Sequence, residues 1–448
     1  MIETKVKKKL LVISHDKIGS SMAGPGIRYH YIAQTLSNDF DVTVGFFDPT
    51  YLPEKEFKKS YATKHIDAHA FEPGFNDIDI VIAHWLSESM LAYCNEKSIY
   101  CVIDLYVPGP VENLASTLFG ANGVKPEDEF AYNKSLEMYK KFFENGDLFL
   151  LSNPRQRDFW TGYAFGSGVV HLSSYSDRPI YDRFITAPMG IDIKQPLKHT
   201  KNVIKGVIPG IEKNDKVLLW TGGIWNHFDG QILIKAMAKL KDKRPDIKLF
   251  FFGTQHPNPN VPEMKESFDT RKLAKKLGLT DKTVFFNDGW VKYPDRINYL
   301  LEADVAINTH KPSIETGFSH RTRVLDHLLA GLPTISTEGD YLSDAFLSSG
   351  LGIVVPPNNL EALEKAILKI LESKTTEDMK AKISKERASF DWENTLWWLK
   401  QSLLDNPTKL PASVASPVPR RDGKVKRAAK KILPVPIKKV IIRTLRMR

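Results

Sequence analysis

Cysteine is nearly missing from this chain: Cys94 and Cys101 are the only two in 448 residues. That is too few for a disulfide scaffold or a zinc site, and two reduced small hydrophobes are the simplest reading. Long apolar runs are missing as well, and no stretch approaches the length of a bilayer span. The start, Lys5-Val-Lys-Lys-Lys-Leu-Leu-Val-Ile-Ser14, mimics the charged part of a secretory leader. Its apolar run stops after four residues at Ser14-His-Asp, so it reads as a first buried strand, and a cytoplasmic protein is expected. Neither metal-ligand spacing nor an Asp-x-Asp at a strand end is present, so no metal and no cofactor are expected. An excess of positive charge is missing from most of the chain, although the total is +10. Residues 420–448 hold twelve Lys or Arg against the single acid Asp422, which leaves the other 419 residues at −1. That distribution speaks against a nucleic-acid-binding body.

What is present is a chain long enough for two domains, with 42% apolar residues to build their cores. Short apolar runs alternate with helical stretches: Leu10–Ser14, Val42–Phe47, Ile78–Ala83, Tyr100–Leu105 and Leu148–Leu151, then a second series beginning at Lys216-Val-Leu-Leu-Trp220. Such alternation predicts parallel sheets with crossover helices. The expected organisation is a Rossmann-like domain over 1–190, a linker over 191–215, a second such domain over 216–385 and a closing helix over 386–405 that packs back towards the first domain. Residues 406–448 follow as a Pro-rich linker and a basic amphipathic tail. In that tail Val425, Ala428, Ala429, Ile432 and Leu433 share one helical face, and Ile437, Val440, Ile441 and Leu445 share another, each opposed by Lys and Arg. This is an interfacial pattern, which predicts peripheral attachment to an anionic membrane surface through residues 420–448.

The densest chemistry lies in Glu315-Thr-Gly-Phe-Ser-His-Arg321-Thr-Arg323-Val-Leu-Asp326. It leaves the strand pattern Ala303–Asn308 and enters a helix that Gly331 ends, with Pro333 beyond. One carboxylate and two arginines therefore meet at the carboxyl end of a strand, where open parallel sheets bind ligands. Helix-start amides and arginines suit a phosphate, and carboxylates suit sugar hydroxyls. The alternative for Arg321 and Arg323 is a structural ion pair with Glu315 or Asp326. For Asp326 it is a helix-start charge that the dipole favours, and for Glu315 an exposed loop acid. Further candidates stand at other strand ends. Gly24 and Gly26 allow close approach of a ligand to the backbone, and Arg28 reaches a phosphate or is a solvated helix residue. His84 ends a strand on the other side. Trp290 and Val291 follow a strand, Trp290 either stacking on a base or packing in the core. Arg155 and Arg157 gather an acceptor phosphate or cap a helix.

Together these segments resemble the retaining glycosyltransferases of family four, closest to a bacterial subset with an Arg-Thr-Arg-Val-Leu-Asp core. The likeness runs over roughly residues 8–404. It also rests on Ala23-Gly-Pro-Gly-Ile-Arg28, Asp104-Leu-Tyr106, Arg155-Gln-Arg-Asp-Phe-Trp160, Gly222-Gly-Ile-Trp225, Phe252-Gly-Thr-Gln-His-Pro257 and Asp288-Gly-Trp-Val291. The resemblance implies an α/β fold of GT-B type, two Rossmann-like domains facing a cleft, and a nucleotide-sugar donor bound by Gly24, Gly26, Arg28, Gly222, Gly223, Trp290, Val291 and Asp326. It implies catalytic parts for Arg321, Arg323, Glu315 and His84, transfer to a lipid-linked or surface glycan, and no metal. Asp326 matches the carboxylate that usually holds the donor ribose. Glu315 stands eleven positions before it, where the family usually spaces its pair by eight. The family's Arg and Lys after the paired glycines are absent: Gly222-Gly-Ile-Trp-Asn-His-Phe-Asp229 places Asp229 about where the Lys is expected. Arg321 and Arg323 are the substitutes at hand for a diphosphate clamp. Two other functions share such an architecture, a sugar-nucleotide epimerase and a non-catalytic nucleotide-sugar-binding scaffold.

Overall fold

The computed structural model describes residues 7–120, 123–172, 175, 179–195, 197–253, 263–405, 407 and 409. The His256-Pro-Asn-Pro-Asn260 loop, most of the Pro-rich linker and the basic tail lie outside the described residues. Seven strands form the first sheet: β1 (Lys9–Ser14), β2 (Asp41–Phe46), β3 (Ala62–His65), β4 (Ile80–Ala83), β5 (Tyr100–Asp104), β6 (Leu148–Leu151) and β7 (Phe184–Thr186), in the order β3-β2-β1-β4-β5-β6-β7. Six form the second: β8 (Lys216–Trp220), β9 (Ile247–Phe251), β10 (Val284–Phe286), β11 (Val305–Asn308), β12 (Thr334–Thr337) and β13 (Gly352–Val355), in the order β10-β9-β8-β11-β12-β13. Neighbours run parallel, as in β1 beside β2 and β4, or β8 beside β9 and β11.

The apolar runs become the central strands because helices cover both faces of each sheet, so no alternation is needed. Leu10, Leu11, Val12 and Ile13 are all completely buried, and each such side chain stabilises the fold by about 1.5–3 kcal/mol relative to exposure. The strand order reverses between β1 and β4 and again between β8 and β11. The loops leaving these four strands diverge there and open a crevice at each switch point.

Two short elements escaped the sequence reading. β3 is an edge strand, Ala-Thr-Lys-His, that is half exposed, and β7 has only three residues. The expected single closing helix is two pieces, Trp392–Thr395 and Trp397–Leu404, joined at Leu396. Leu396, Leu399 and Leu403 are buried in the first domain's core, together with Val324, Leu325, Leu328 and Leu329 of the second. Ile191 and residues 390–392 exchange backbone hydrogen bonds, Trp392 stacks on Tyr31 at 5.1 Å, and Lys400 pairs with Asp39. Val203, Ile204 and Ile211, in the stretch read as linker, pack into a core of the second domain. Beyond the closing helix, Lys409 bonds to the Asn145 carbonyl and the Asp147 carboxylate, both at 2.8 Å. No described helix is long and apolar enough to cross a membrane.

Candidate active site

Both switch points open on one cleft, a cavity of about 620 Å³ lined by both domains. Glu315, Arg321, Arg323, Asp326, His84, Gly24, Gly222, Gly223, Trp290 and Val291 all line it. Gly26 and Arg28 do not. A Cβ at Gly26 would collide with the Lys17 carbonyl oxygen, so this glycine serves the chain's own turn rather than a ligand's approach. Arg28 is completely buried under the cleft wall and forms a bidentate pair with Asp104, at 2.6 and 2.7 Å. Its charge is met inside the first domain, and the expected phosphate contact is replaced by this ion pair. Both residues, expected among the donor-binding groups, stand one layer behind the cleft lining.

The segment that carries Glu315, Arg321, Arg323 and Asp326 is built locally. Ser313 caps the short helix Ile314–Phe318 by accepting from the Thr316 amide. That helix lifts Glu315 into a buried bidentate pair with Arg321, at 2.8 and 2.7 Å. Glu315 is thus not an exposed loop acid. Asp326 sits in the first turn of the helix Arg323–Leu329 and pairs with Arg296 at 2.9 Å. Burial pushes its carboxyl up and Arg296 pulls it back. The side chain is 28% exposed, so one face remains open to the cleft. Sequence reasoning missed Arg296, thirty residues away. The guanidinium lies 3.8 Å from the Tyr293 ring, and Tyr293 in turn reaches Tyr31 of the first domain.

Arg323 differs from the other two. It makes no ion pair with any described carboxylate. One nitrogen donates to the Gly223 carbonyl at 2.9 Å, and the guanidinium lies over Phe228 at 3.9 Å and Trp220 at 4.7 Å. Another nitrogen, Nη1, is buried without a hydrogen-bond partner. Burial and the neighbouring Arg321 push the group down to about 9. Gly222, at φ +75°, makes the turn that brings the Gly222-Gly223 backbone against this cation, a conformation a side chain would strain. Asp229, aligned by spacing with a missing lysine, turns away. It caps the helix Gly230–Leu240 by accepting from the Ile232 amide at 3.0 Å. His227 also lines the cleft, and burial, with Arg321 and Arg323 beside it, holds it well below the usual imidazole range.

The first-domain wall carries His15, Asp16, His84, Tyr106 and Glu112. His84 Nδ1 lies 2.8 Å from the Asp104 carbonyl. A carbonyl only accepts, so Nδ1 carries a proton and donates there. His15 bonds the Trp85 carbonyl in the same manner, and burial, then His84, push it down to about 4. Glu112 was not anticipated. It stands in the first turn of the helix Gly109–Phe119, and burial, with Glu315 opposite, pushes it up to about 7. Arg155 and Arg157 are absent from the wall. Arg155 crosses to the other domain, bonding the Gly339 and Gly317 carbonyls and Asp344. Asn153 and Gln156 beside it hold the Phe318 carbonyl at 3.2 and 3.0 Å. Arg157 lies over Tyr181 and near Thr186. Trp290 packs against Gly253.

Residues 207–388 match the family model described as glycosyl transferases group 1. A D-inositol 3-phosphate glycosyltransferase of Paenarthrobacter aurescens is 26% identical over 223 residues, 48% of this chain and 50% of that protein. The chain therefore spans about half the length of such relatives in these matches. Among solved structures, sucrose-phosphate synthase from Thermosynechococcus elongatus superposes with a TM-score of 0.64 at 18% identity, covering 89% of this chain and 99% of that one. Anabaena Alr3699/HepE in complex with UDP-glucose superposes at 0.60 and 13% identity, covering 89% and 99%. The chain has the two-domain GT-B fold, and its second domain carries the group 1 glycosyl transferase match.

Proposed function

We propose that this chain is a nucleotide-sugar-dependent glycosyltransferase that acts with retention on a lipid-linked or surface glycan during bacterial polysaccharide assembly. The observation that carries the reading is Arg323, a half-buried cation with no carboxylate partner among the described residues, held against the Gly222-Gly223 turn in the cleft. A buried charge costs folding energy unless something opposite joins it. A nucleoside diphosphate bound at the glycine turn supplies that partner. Asp326 then receives the ribose hydroxyls, and the Glu315–Arg321 pair borders the sugar. The group 1 match over the second domain and a structural neighbour bound to UDP-glucose support the donor class.

In this reading the acceptor hydroxyl attacks on the face the nucleotide leaves, and the departing phosphate oxygen takes its proton. No covalent nucleophile and no metal is needed. The protein positions the two substrates and stabilises charge on the leaving diphosphate. The basic segment 420–448 holds the enzyme at the inner membrane face, where a lipid-linked acceptor resides. The test is thermal unfolding of the full chain against UDP, GDP, ADP and dTDP and their sugars, since a ligand bound only to the folded state raises its melting temperature. One nucleotide should stand out, and its sugar should be released or transferred with unchanged anomeric configuration. A flat screen would sink the reading.

A further inference from the structure

Charge on the cleft wall is divided by domain. Every arginine among its described lining residues, Arg296, Arg321 and Arg323, belongs to the second domain. The first-domain lining contains no lysine or arginine; it contains Asp16, Glu112 and, near the inter-domain connection, Asp192. His15 on this wall adds no cation near neutral pH, since burial holds it down at about 4. The arginines nearest in sequence are committed elsewhere, Arg155 to the opposite domain and Arg157 to Tyr181.

Glu112 is the unspent group on that wall. Its side chain makes no hydrogen bond or ion pair with any described residue, though Glu315 and Arg321 face it from the donor loop. Tyr139 from the helix Pro126–Asn145 and Tyr106 just before its own helix complete the titratable surroundings. A carboxylate with an unused lone-pair set is a receptor for hydroxyl donors. It also repels an anion.

Resting on the transferase reading above, we propose that the reacting end of the acceptor is an uncharged polyol, a sugar or cyclitol without phosphate, seated on the first-domain wall with its attacking hydroxyl hydrogen-bonded to Glu112. This separates the chain from the relatives named for inositol 3-phosphate, whose named acceptor carries an anion that this wall has no described cation to receive. Glu112 is a positioning group for that hydroxyl. It is charged above about pH 7 and grips a hydroxyl more weakly below it.

The test measures UDP release from UDP-glucose by the full chain with paired co-substrates: D-glucose and glucose 6-phosphate, myo-inositol and D-inositol 3-phosphate. The neutral member should accelerate release more than its phosphate. E112Q should raise the KM for the active neutral sugar about tenfold or more, leave the KM for UDP-glucose unchanged, and flatten the rise in rate through neutral pH. A phosphate that outperforms its parent sugar overturns the inference, and so does an E112Q enzyme with wild-type acceptor KM and pH profile. A panel that leaves release at its rate in water, from an enzyme whose melting temperature UDP does raise, overturns it too. If no nucleotide raises the melting temperature, the transferase reading is what falls. D16N/E112Q then tests the wall alone, by calorimetric titration with glucose 6-phosphate. The wall's charge is upheld if the double variant binds it more tightly than wild type, and refuted if the affinities are equal.

Discussion

Replacing Arg323 by Met should make the free protein more stable and the enzyme worse. Displacement of the guanidinium to about 9 corresponds to a burial cost on the order of 4–5 kcal/mol. The contacts with Phe228 and Trp220 return about 1–2 kcal/mol, so a net cost of roughly 2–4 kcal/mol remains in the unliganded state. The sign with pH follows from the lowered value. The unfolded chain holds this proton more tightly, so the cost is fully present below about pH 9 and lifts as pH rises beyond it. Methionine fills most of the same volume without the charge. R323M should therefore melt a few degrees higher than wild type at pH 7. The same variant should bind UDP about ten- to a hundredfold more weakly, because a charge-assisted contact is worth about 1.5–3 kcal/mol. Scanning calorimetry with and without UDP reads both effects in one experiment. A variant that melts lower than wild type while binding UDP equally well would refute the reasoning, since the cation would then be structural.

Removing Asp326 as D326A should weaken nucleotide binding by about 1.5–3 kcal/mol, read by calorimetric titration; unchanged affinity in a folded variant would take Asp326 out of the site. E315Q should destabilise by about 3–5 kcal/mol because the buried Arg321 loses its charged partner. The double variant E315Q/R321M should recover part of that loss, and a melting curve like wild type for E315Q alone would show the pair to be weak. Truncation after Lys409 should leave melting unchanged yet release the protein from anionic vesicles, each lost base contributing about 1 kcal/mol near the surface. Truncation at residue 406 should also lower the melting temperature, because it removes the Lys409–Asp147 pair. Equal co-sedimentation of the shorter and full chains would exclude the tail as the anchor.

The central strands were legible because each must bury a continuous apolar run, as in Leu10–Ile13 and Leu148–Leu151. β3 was not, because an edge strand has one neighbour and tolerates Thr and Lys. The candidate site's main segment was legible for a related reason: Glu315, Arg321, Arg323 and Asp326 lie within one strand–loop–helix unit, and local spacing brings them to one strand end. Their partners were not. Arg28 meets Asp104 across 76 residues, Arg323 meets Gly223 across 100, and Glu112 faces Glu315 from another domain. Only tertiary packing decides such meetings. It also decides which arginine is neutralised and which stays available, a distinction that sequence spacing left open between Arg321 and Arg323.

The bonds from Asn153, Arg155 and Gln156 to residues 317–319 and 339 have a kinetic consequence. These side chains sit at the start of a first-domain helix; the carbonyls of residues 317–319 belong to the segment that presents Glu315, and that of Gly339 to the loop after β12. The two halves cannot separate without slackening the Glu315 segment, so the shape of the donor pocket and the width of the cleft are one coordinate. In the transferase reading proposed above, a donor entering an opened cleft should meet a slackened pocket and draw the halves together as it seats, completing the acceptor side only afterwards. Substrates should then bind in compulsory order, nucleotide sugar first, and departure of the spent nucleotide, which must prise the same bonds apart, should limit turnover.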